Sequence, residues 1–257
     1  MFEALLRVFI PGLCYFYKAN TFFREKMIDN GMYWQLKNRE PIGEKVKKRL
    51  LILGDSVAYG WGVDRKDVFT TILSDKTDYE VINFGVPGTN SVEQSLLFDI
   101  EGKALRPDIV FWIITNNDVA ARSKKPTSFQ RNIYRSYLLT ALFYLKKRMS
   151  LPIYTQLQFE EAKQAIAQMK QLCDNLVVCL YASPETIKRD KIMKFYQKEL
   201  VSNRINFFLL TDEIFENKID RIDGHLNIRG NRLLAQSIGA VLNVTQIGLT
   251  IYVRKKS

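Results

Sequence analysis

The chain has 257 residues, 47% hydrophobic and 25% charged, an ordinary balance for one globular domain with a sizeable core. Thirty-eight basic against 27 acidic residues leave a net charge of +11, which favours anionic partners. No zinc-finger, helix-turn-helix or RNA-binding signature accompanies that charge, so nucleic acid is not expected as a partner. Cys14, Cys173 and Cys179 lack the spacing of a disulfide framework and fit a reducing compartment. With a single histidine they build no metal site, and no cofactor is expected.

Residues 1–45 read as an aromatic and basic helical extension. The apolar stretch Val8 to Tyr17 is broken by Pro11-Gly12 and falls short of the roughly 20 residues a membrane span needs. Arg7 interrupts any signal-peptide core, and no small-residue cleavage site follows, so the expected location is cytoplasmic. Phe2, Phe9, Tyr15, Phe16, Tyr17, Phe22 and Phe23 lie among Arg7, Lys18, Arg24 and Lys26. That mixture suits either peripheral contact with an anionic membrane or a helix packed on the domain or on a partner subunit.

Residues 46–257 alternate apolar strands with helical stretches, the pattern of an α/β domain with a parallel sheet covered on both faces. Strands are expected at Leu50–Leu53, Val81–Phe84, Ile109–Ile114, Leu176–Tyr181 and Ile205–Leu210. Cys179, within the fourth, should be a core residue. Helices are expected near Asp67–Asp75, Ser91–Leu105, Phe159–Leu172, Lys191–Leu200 and Arg232–Val241. The connection from Asn117 to the fourth strand is longer than one crossover requires and carries an additional helical pattern near Arg131–Lys147. Ile247, Leu249, Ile251 and Val253 alternate with period two, a strand pattern closed by Arg254-Lys255-Lys256.

Ligands of open α/β sheets bind at the carboxyl ends of the strands. Three polar clusters fall there: Gly54-Asp55-Ser56, then Gly85-Val86-Pro87-Gly88-Thr89-Asn90, then Asn116-Asn117-Asp118. Acyl transfer needs a nucleophile, a base, a group that orients the base, and donors for an oxyanion. Ser56 sits at a turn from strand into helix, where its hydroxyl can be presented. His225 is the one histidine, so no other residue could serve as a histidine base. It follows Asp223-Gly224 immediately before the last helix, within reach of the Asp223 carboxylate.

Gly54-Asp55-Ser56, Gly88, Asn117-Asp118 and Asp223-x-His225, in this order, resemble the blocks of the GDSL/SGNH hydrolase family. The resemblance spans about Leu50 to Gly230. It implies a flavodoxin-like three-layer fold and hydrolysis of esters or thioesters, with Ser56 as nucleophile and His225 as base. It further implies Asp223 as the orienting acid and an oxyanion hole made from the Ser56 N–H, the Gly88 N–H and the Asn117 side-chain amide. The sequence departs from the family at two places. Thr115 stands where the family commonly has glycine, and Ile222 where it commonly has the acid, with Asp220 as the alternative acid to Asp223. A lipid, carbohydrate or other small-molecule ester is the implied substrate.

The rival readings are weaker. An α/β-hydrolase elbow needs Gly-x-Ser-x-Gly, and its fifth position here is Ala58. Gly54 to Gly60 has neither the spacing nor the Lys-Ser/Thr of a phosphate-binding loop. An acyltransferase or O-acetyl esterase acting on carbohydrate would use the same residues, and a non-catalytic binding protein on a hydrolase fold would not need them.

Overall fold

Apolar runs without a polar alternate need cover on both faces, and three of them, with two more mixed runs, form the five strands of a single parallel sheet. The computed structural model describes residues 42–119, 154–219 and 224–246. The strands are β1 (Arg49–Gly54), β2 (Glu80–Gly85), β3 (Ile109–Ile114), β4 (Leu176–Leu180) and β5 (Asn206–Leu209), in the order β2-β1-β3-β4-β5. Leu50 pairs with Val81 on one side and with Ile109 on the other, so β1 lies between β2 and β3. This is the flavodoxin-like order, with its switch of direction beside β1.

The helices that follow the strands are α1 (Ser56–Tyr59), α2 (Phe69–Lys76), α3 (Ser91–Leu97), α4 (Gln156–Leu172), α5 (Pro184–Arg189), α6 (Lys191–Ser202), α7 (Asp212–Glu216) and α8 (Ile228–Gln246). Alternate strand residues face opposite layers. Leu51, Leu53, Trp112, Ile114, Val178 and Leu180 pack with Ala162, Ile166 and Met169 of α4 and with Met193, Tyr196 and Leu200 of α6. Leu50, Ile52, Phe111, Ile113, Val177 and Cys179 pack with Phe69 and Leu73 of α2 and with Leu234, Ile238 and Leu242 of α8. The three α8 residues recur every fourth position and are fully buried. Each such side chain stabilises the fold by roughly 1.5–3 kcal/mol.

Caps set the helix starts. Thr155 and Gln158 form a capping box at α4, Asn90 and Glu93 do so at α3, and the Asp190 carboxylate accepts two backbone N–H groups at the start of α6. The helix expected over Ser91–Leu105 is one run whose pitch changes. After α3 the backbone passes through a π turn at Phe98–Gly102 and a 3-10 turn at Lys103–Leu105. Gly102 allows it, because a Cβ there would lie 2.5 Å from Cδ2 of Phe98. Helices α5 and α7 are too short to show a hydrophobic period in the sequence. Cys179 is buried in the core. The aromatic segment within residues 1–41, the helical pattern near 131–147, the strand pattern at 247–253, and both Asp220 and Asp223 lie outside the described residues. Among the described residues, no helix is long and apolar enough to cross a membrane.

Candidate active site

β1 ends at Gly54, whose φ is +152°. A Cβ at that position would fall 2.7 Å from the Ile113 carbonyl oxygen, so glycine lets the chain leave the sheet tight against β3. Asp55 then caps α1, its Oδ1 accepting from the Val57 N–H at 2.9 Å, and Ser56 becomes the first helical residue. The buried Asn83 of β2 braces this short helix from below. Its Nδ2 donates to the Ala58 carbonyl at 3.0 Å and to Thr70 Oγ1 at 3.1 Å, while its Oδ1 accepts from the Gly85 N–H at 3.0 Å. The α1 backbone rests directly on Gly85, where a Cβ would lie 2.3 Å from the Tyr59 nitrogen.

Across the site, His225 Nε2 lies 2.8 Å from Ser56 Oγ. The two residues are 169 positions apart, and a dense set of backbone contacts aligns them. The Ile219 N–H donates to the His225 carbonyl at 2.9 Å, and the Asn227 N–H to the Asn217 carbonyl at 3.0 Å. Asn227 Nδ2 donates to the Lys218 carbonyl, and Asn227 Oδ1 accepts from the Gly230 N–H in the first turn of α8. Asn231 ties that turn to the opposite helix: its Nδ2 donates to the Leu226 and Asn227 carbonyls, and its Oδ1 accepts from the Phe69 N–H of α2 at 3.1 Å. The half-buried Trp61 stands beside the imidazole, with ring centroids 6.1 Å apart and planes at 37°.

The sheet order brings the other two clusters next to Ser56, since β2 and β3 flank β1. Gly88, exposed and at φ +79°, lies in the turn after β2. After β3 the two asparagines part. Asn116 Nδ2 donates to Asp190 Oδ2 at 3.1 Å and so faces α6. Asn117 instead faces the nucleophile turn, its Nδ2 donating to Asp55 Oδ2 at 3.4 Å. The Thr115 hydroxyl reaches that same carboxylate oxygen at 3.2 Å and also contacts Asn117 Oδ1.

Asp118 anchors this loop from inside. Its Oδ2 accepts from the Thr115 N–H at 2.6 Å and its Oδ1 from Gln94 Nε2 at 2.9 Å. Gln94 Oε1 in turn accepts from Trp112 Nε1 at 2.7 Å. The Asp118 carbonyl accepts from the Ser91 N–H and hydroxyl, and Tyr196 donates to that hydroxyl at 3.2 Å. Burial raises the Asp55 carboxyl above its usual range, against the Val57 N–H, the charge of His225, and the Thr115 and Asn117 side chains. Burial raises Asp118 well above that range, and the neighbouring Asp55 charge adds to the effect.

Ser56, Gly88, Asn117 and His225 therefore all belong to the rim where three strand ends meet the turn before α8. Asn83, Gln94, Asn227, Asn231 and Trp61 support that rim and were not singled out from the sequence. A buried asparagine inside an apolar strand, as at Asn83, is the signal that could have found the first of them. Asn227 and Asn231 read only as residues around a helix start.

A parallel sheet of this order with a serine–histidine pair at its carboxyl edge is the SGNH hydrolase class of α/β fold. The profile of the GDSL-like lipase/acylhydrolase family matches residues 52–202, which include Ser56, Gly88 and Asn117 and end before His225. The chain belongs to that family, and it is a hydrolase acting on ester bonds. Solved structures agree on the fold at low identity. TesA is 13% identical, with 76% of this chain and 98% of that chain covered and a TM-score of 0.53. The psychrotrophic esterase EstA from Pseudoalteromonas sp. is 14% identical, with coverage of 76% and 99% and a TM-score of 0.52. The lipase/acylhydrolase from Enterococcus faecalis is 14% identical, with coverage of 77% and 96% and a TM-score of 0.51. None of the curated protein sequences matches this chain.

Proposed function

We propose that the chain cleaves a carboxylic ester or thioester through an acyl-enzyme on Ser56. The observation that carries this reading is the 2.8 Å separation of His225 Nε2 and Ser56 Oγ. At that distance the imidazole takes the hydroxyl proton as Oγ attacks the substrate carbonyl carbon. The carbonyl oxygen gains the negative charge and accepts hydrogen bonds from the Ser56 N–H, the Gly88 N–H and the Asn117 side-chain amide. Collapse of the tetrahedral intermediate breaks the bond to the alcohol or thiol, which leaves with the proton held on His225 Nε2. Water then attacks the acyl-serine by the same route, its proton passing to His225, and the free acid and Ser56 hydroxyl are restored. Asp223 is the group we assign to orient the imidazole and offset its positive charge.

The substrate class follows from the family: a lipid, carbohydrate or other small-molecule ester. Trp61, beside His225 and half-buried, offers an apolar wall against which the acyl or alcohol part can lie.

A panel of p-nitrophenyl esters of increasing chain length tests the reaction, together with labelling by a fluorophosphonate. Ser56→Ala should abolish labelling and lower kcat by at least ~10³-fold with the fold unchanged, and His225→Ala should do nearly the same. Wild-type turnover of every ester by Ser56→Ala would overturn the reading.

A further inference from the structure

We propose that Thr115 is a positioning residue that fixes which edge of the Asn117 amide meets the substrate, an inference that rests on the oxyanion role given to Asn117 above. The family pattern that the sequence resembles commonly has glycine at this place, which carries no hydroxyl. Thr115 is buried at the end of β3, with 4% of its surface exposed. Its Oγ1 lies beside two acceptors, Asp55 Oδ2 and Asn117 Oδ1. A hydroxyl has one proton to give. Asp55 Oδ2 is already approached by Asn117 Nδ2, and Asp55 Oδ1 by the Val57 N–H. Among the described residues, the donor that Asn117 Oδ1 meets is the Thr115 hydroxyl.

The amide is thereby held at two points. Its oxygen accepts from Thr115, and one of its N–H groups points to Asp55. The second N–H remains, on a residue that is otherwise exposed, and it is the donor available to a substrate oxygen. In the opposite orientation the amide oxygen would face the buried Asp55 carboxylate, acceptor against acceptor. Without the hydroxyl, the 3.4 Å contact with Asp55 Oδ2 alone would hold this exposed amide, and its carbonyl would turn more readily toward the developing negative charge. A pre-set donor works because it need not reorganise when that charge appears.

The test uses the full chain with the p-nitrophenyl ester that the wild type turns over fastest. Thr115→Val keeps the branched shape and removes the hydroxyl; Thr115→Ser restores the hydroxyl on a smaller side chain. We expect Thr115→Val to lower kcat by about 10- to 100-fold with KM within about twofold, and Thr115→Ser to stay within about threefold of wild type. On an Asn117→Ala background, Thr115→Val should add no further loss, because the group it positions is gone. If Thr115→Val does not fold, Thr115→Ala set against Thr115→Ser makes the same comparison. A kcat for the hydroxyl-free variant within about twofold of wild type, an equal loss in Thr115→Ser, or a full additional loss on the Asn117→Ala background would each overturn the proposal. Inactivity of Ser56→Ala beside an unaffected Thr115→Val would remove the Thr115 role alone, whereas an active Ser56→Ala would remove the serine mechanism as well.

Discussion

At the amino ends of the strands, Arg49 is buried with a partner for each of its three guanidinium nitrogens. Its Nε donates to Glu80 at 2.6 Å, and its terminal nitrogens donate to the Leu105 and Gly43 carbonyls at 2.8 and 2.6 Å. The nearby Asp108 is partly desolvated, but the Lys45 ammonium and the Arg49 N–H outweigh that effect and hold its carboxyl below the usual range. At the carboxyl ends, Asp55 and Asp118 are far more deeply buried than Asp108, and burial pushes each carboxyl up, for Asp55 even against the charge of His225. One end of the sheet matches its charges and closes the loops beneath β1. The other end uses the hydrogen bonds of two buried acids to hold a turn and an asparagine in place. Local stability is given up where the reacting groups are positioned, as is common at active sites.

The comparison is broken most sharply at the carboxyl end by Asn117→Ala. That change should cost about 10²- to 10³-fold in kcat with little change in KM, as for loss of one oxyanion donor. Asn116→Ala, which removes a hydrogen bond to Asp190 at the start of α6, should stay within a few-fold of wild type. Steady-state kinetics of both variants decide the point; the reverse ranking would mean that Asn116 faces the substrate.

At the amino end the expected loss is of stability and not of rate. Arg49→Ala leaves two carbonyls and the Glu80 carboxylate without their buried donor. It should lower the free energy of unfolding by about 3 kcal/mol, as when one partner of a buried ion pair is removed. Urea denaturation measures the loss, and kcat of the folded fraction should be unchanged. A drop in kcat at full stability would join the two ends functionally.

Asp118 sharpens the contrast most finely. Its folded-state pKa lies above the value of about 3.9 for an unfolded aspartate, so the native state keeps a proton that the unfolded chain has lost. That contribution to stability is greatest below the unfolded value and declines as pH rises toward the folded one. Asp118→Asn should be less stable throughout, because its new NH2 meets Gln94 Nε2, which cannot turn while Gln94 Oε1 accepts from Trp112. Its stability should nonetheless fall less steeply with pH than that of wild type, by up to roughly 1 kcal/mol per pH unit. Parallel profiles from pH 4 to pH 7 would assign the extra proton to another group, Asp55 first.

The sequence by itself determined the sheet. Leu50 to Leu53, Ile109 to Ile114 and Leu176 to Leu180 are too apolar to tolerate water on either face, and that requires parallel strands covered by helices on both sides. It also determined where chemistry could sit, because glycine, asparagine and aspartate after a buried strand have nowhere to go but the strand ends. The π turn at Phe98–Gly102 lay beyond it, since it depends on a ring packing over a glycine. Only the tertiary structure decided that the clusters after β1, β2 and β3 are neighbours, through the order β2-β1-β3, which no local pattern encodes. Likewise, nothing near Asn116 or Asn117 in the chain says which of them faces Asp55 and which faces Asp190, residues some 60 to 75 positions away. The same holds for His225 and Ser56, whose 2.8 Å approach is set by Asn227 and Asn231 bonding to turns and helices from elsewhere in the fold. Hydrophobic pattern is a property of neighbours in sequence, whereas the orientation of a polar side chain belongs to whatever folding brings against it.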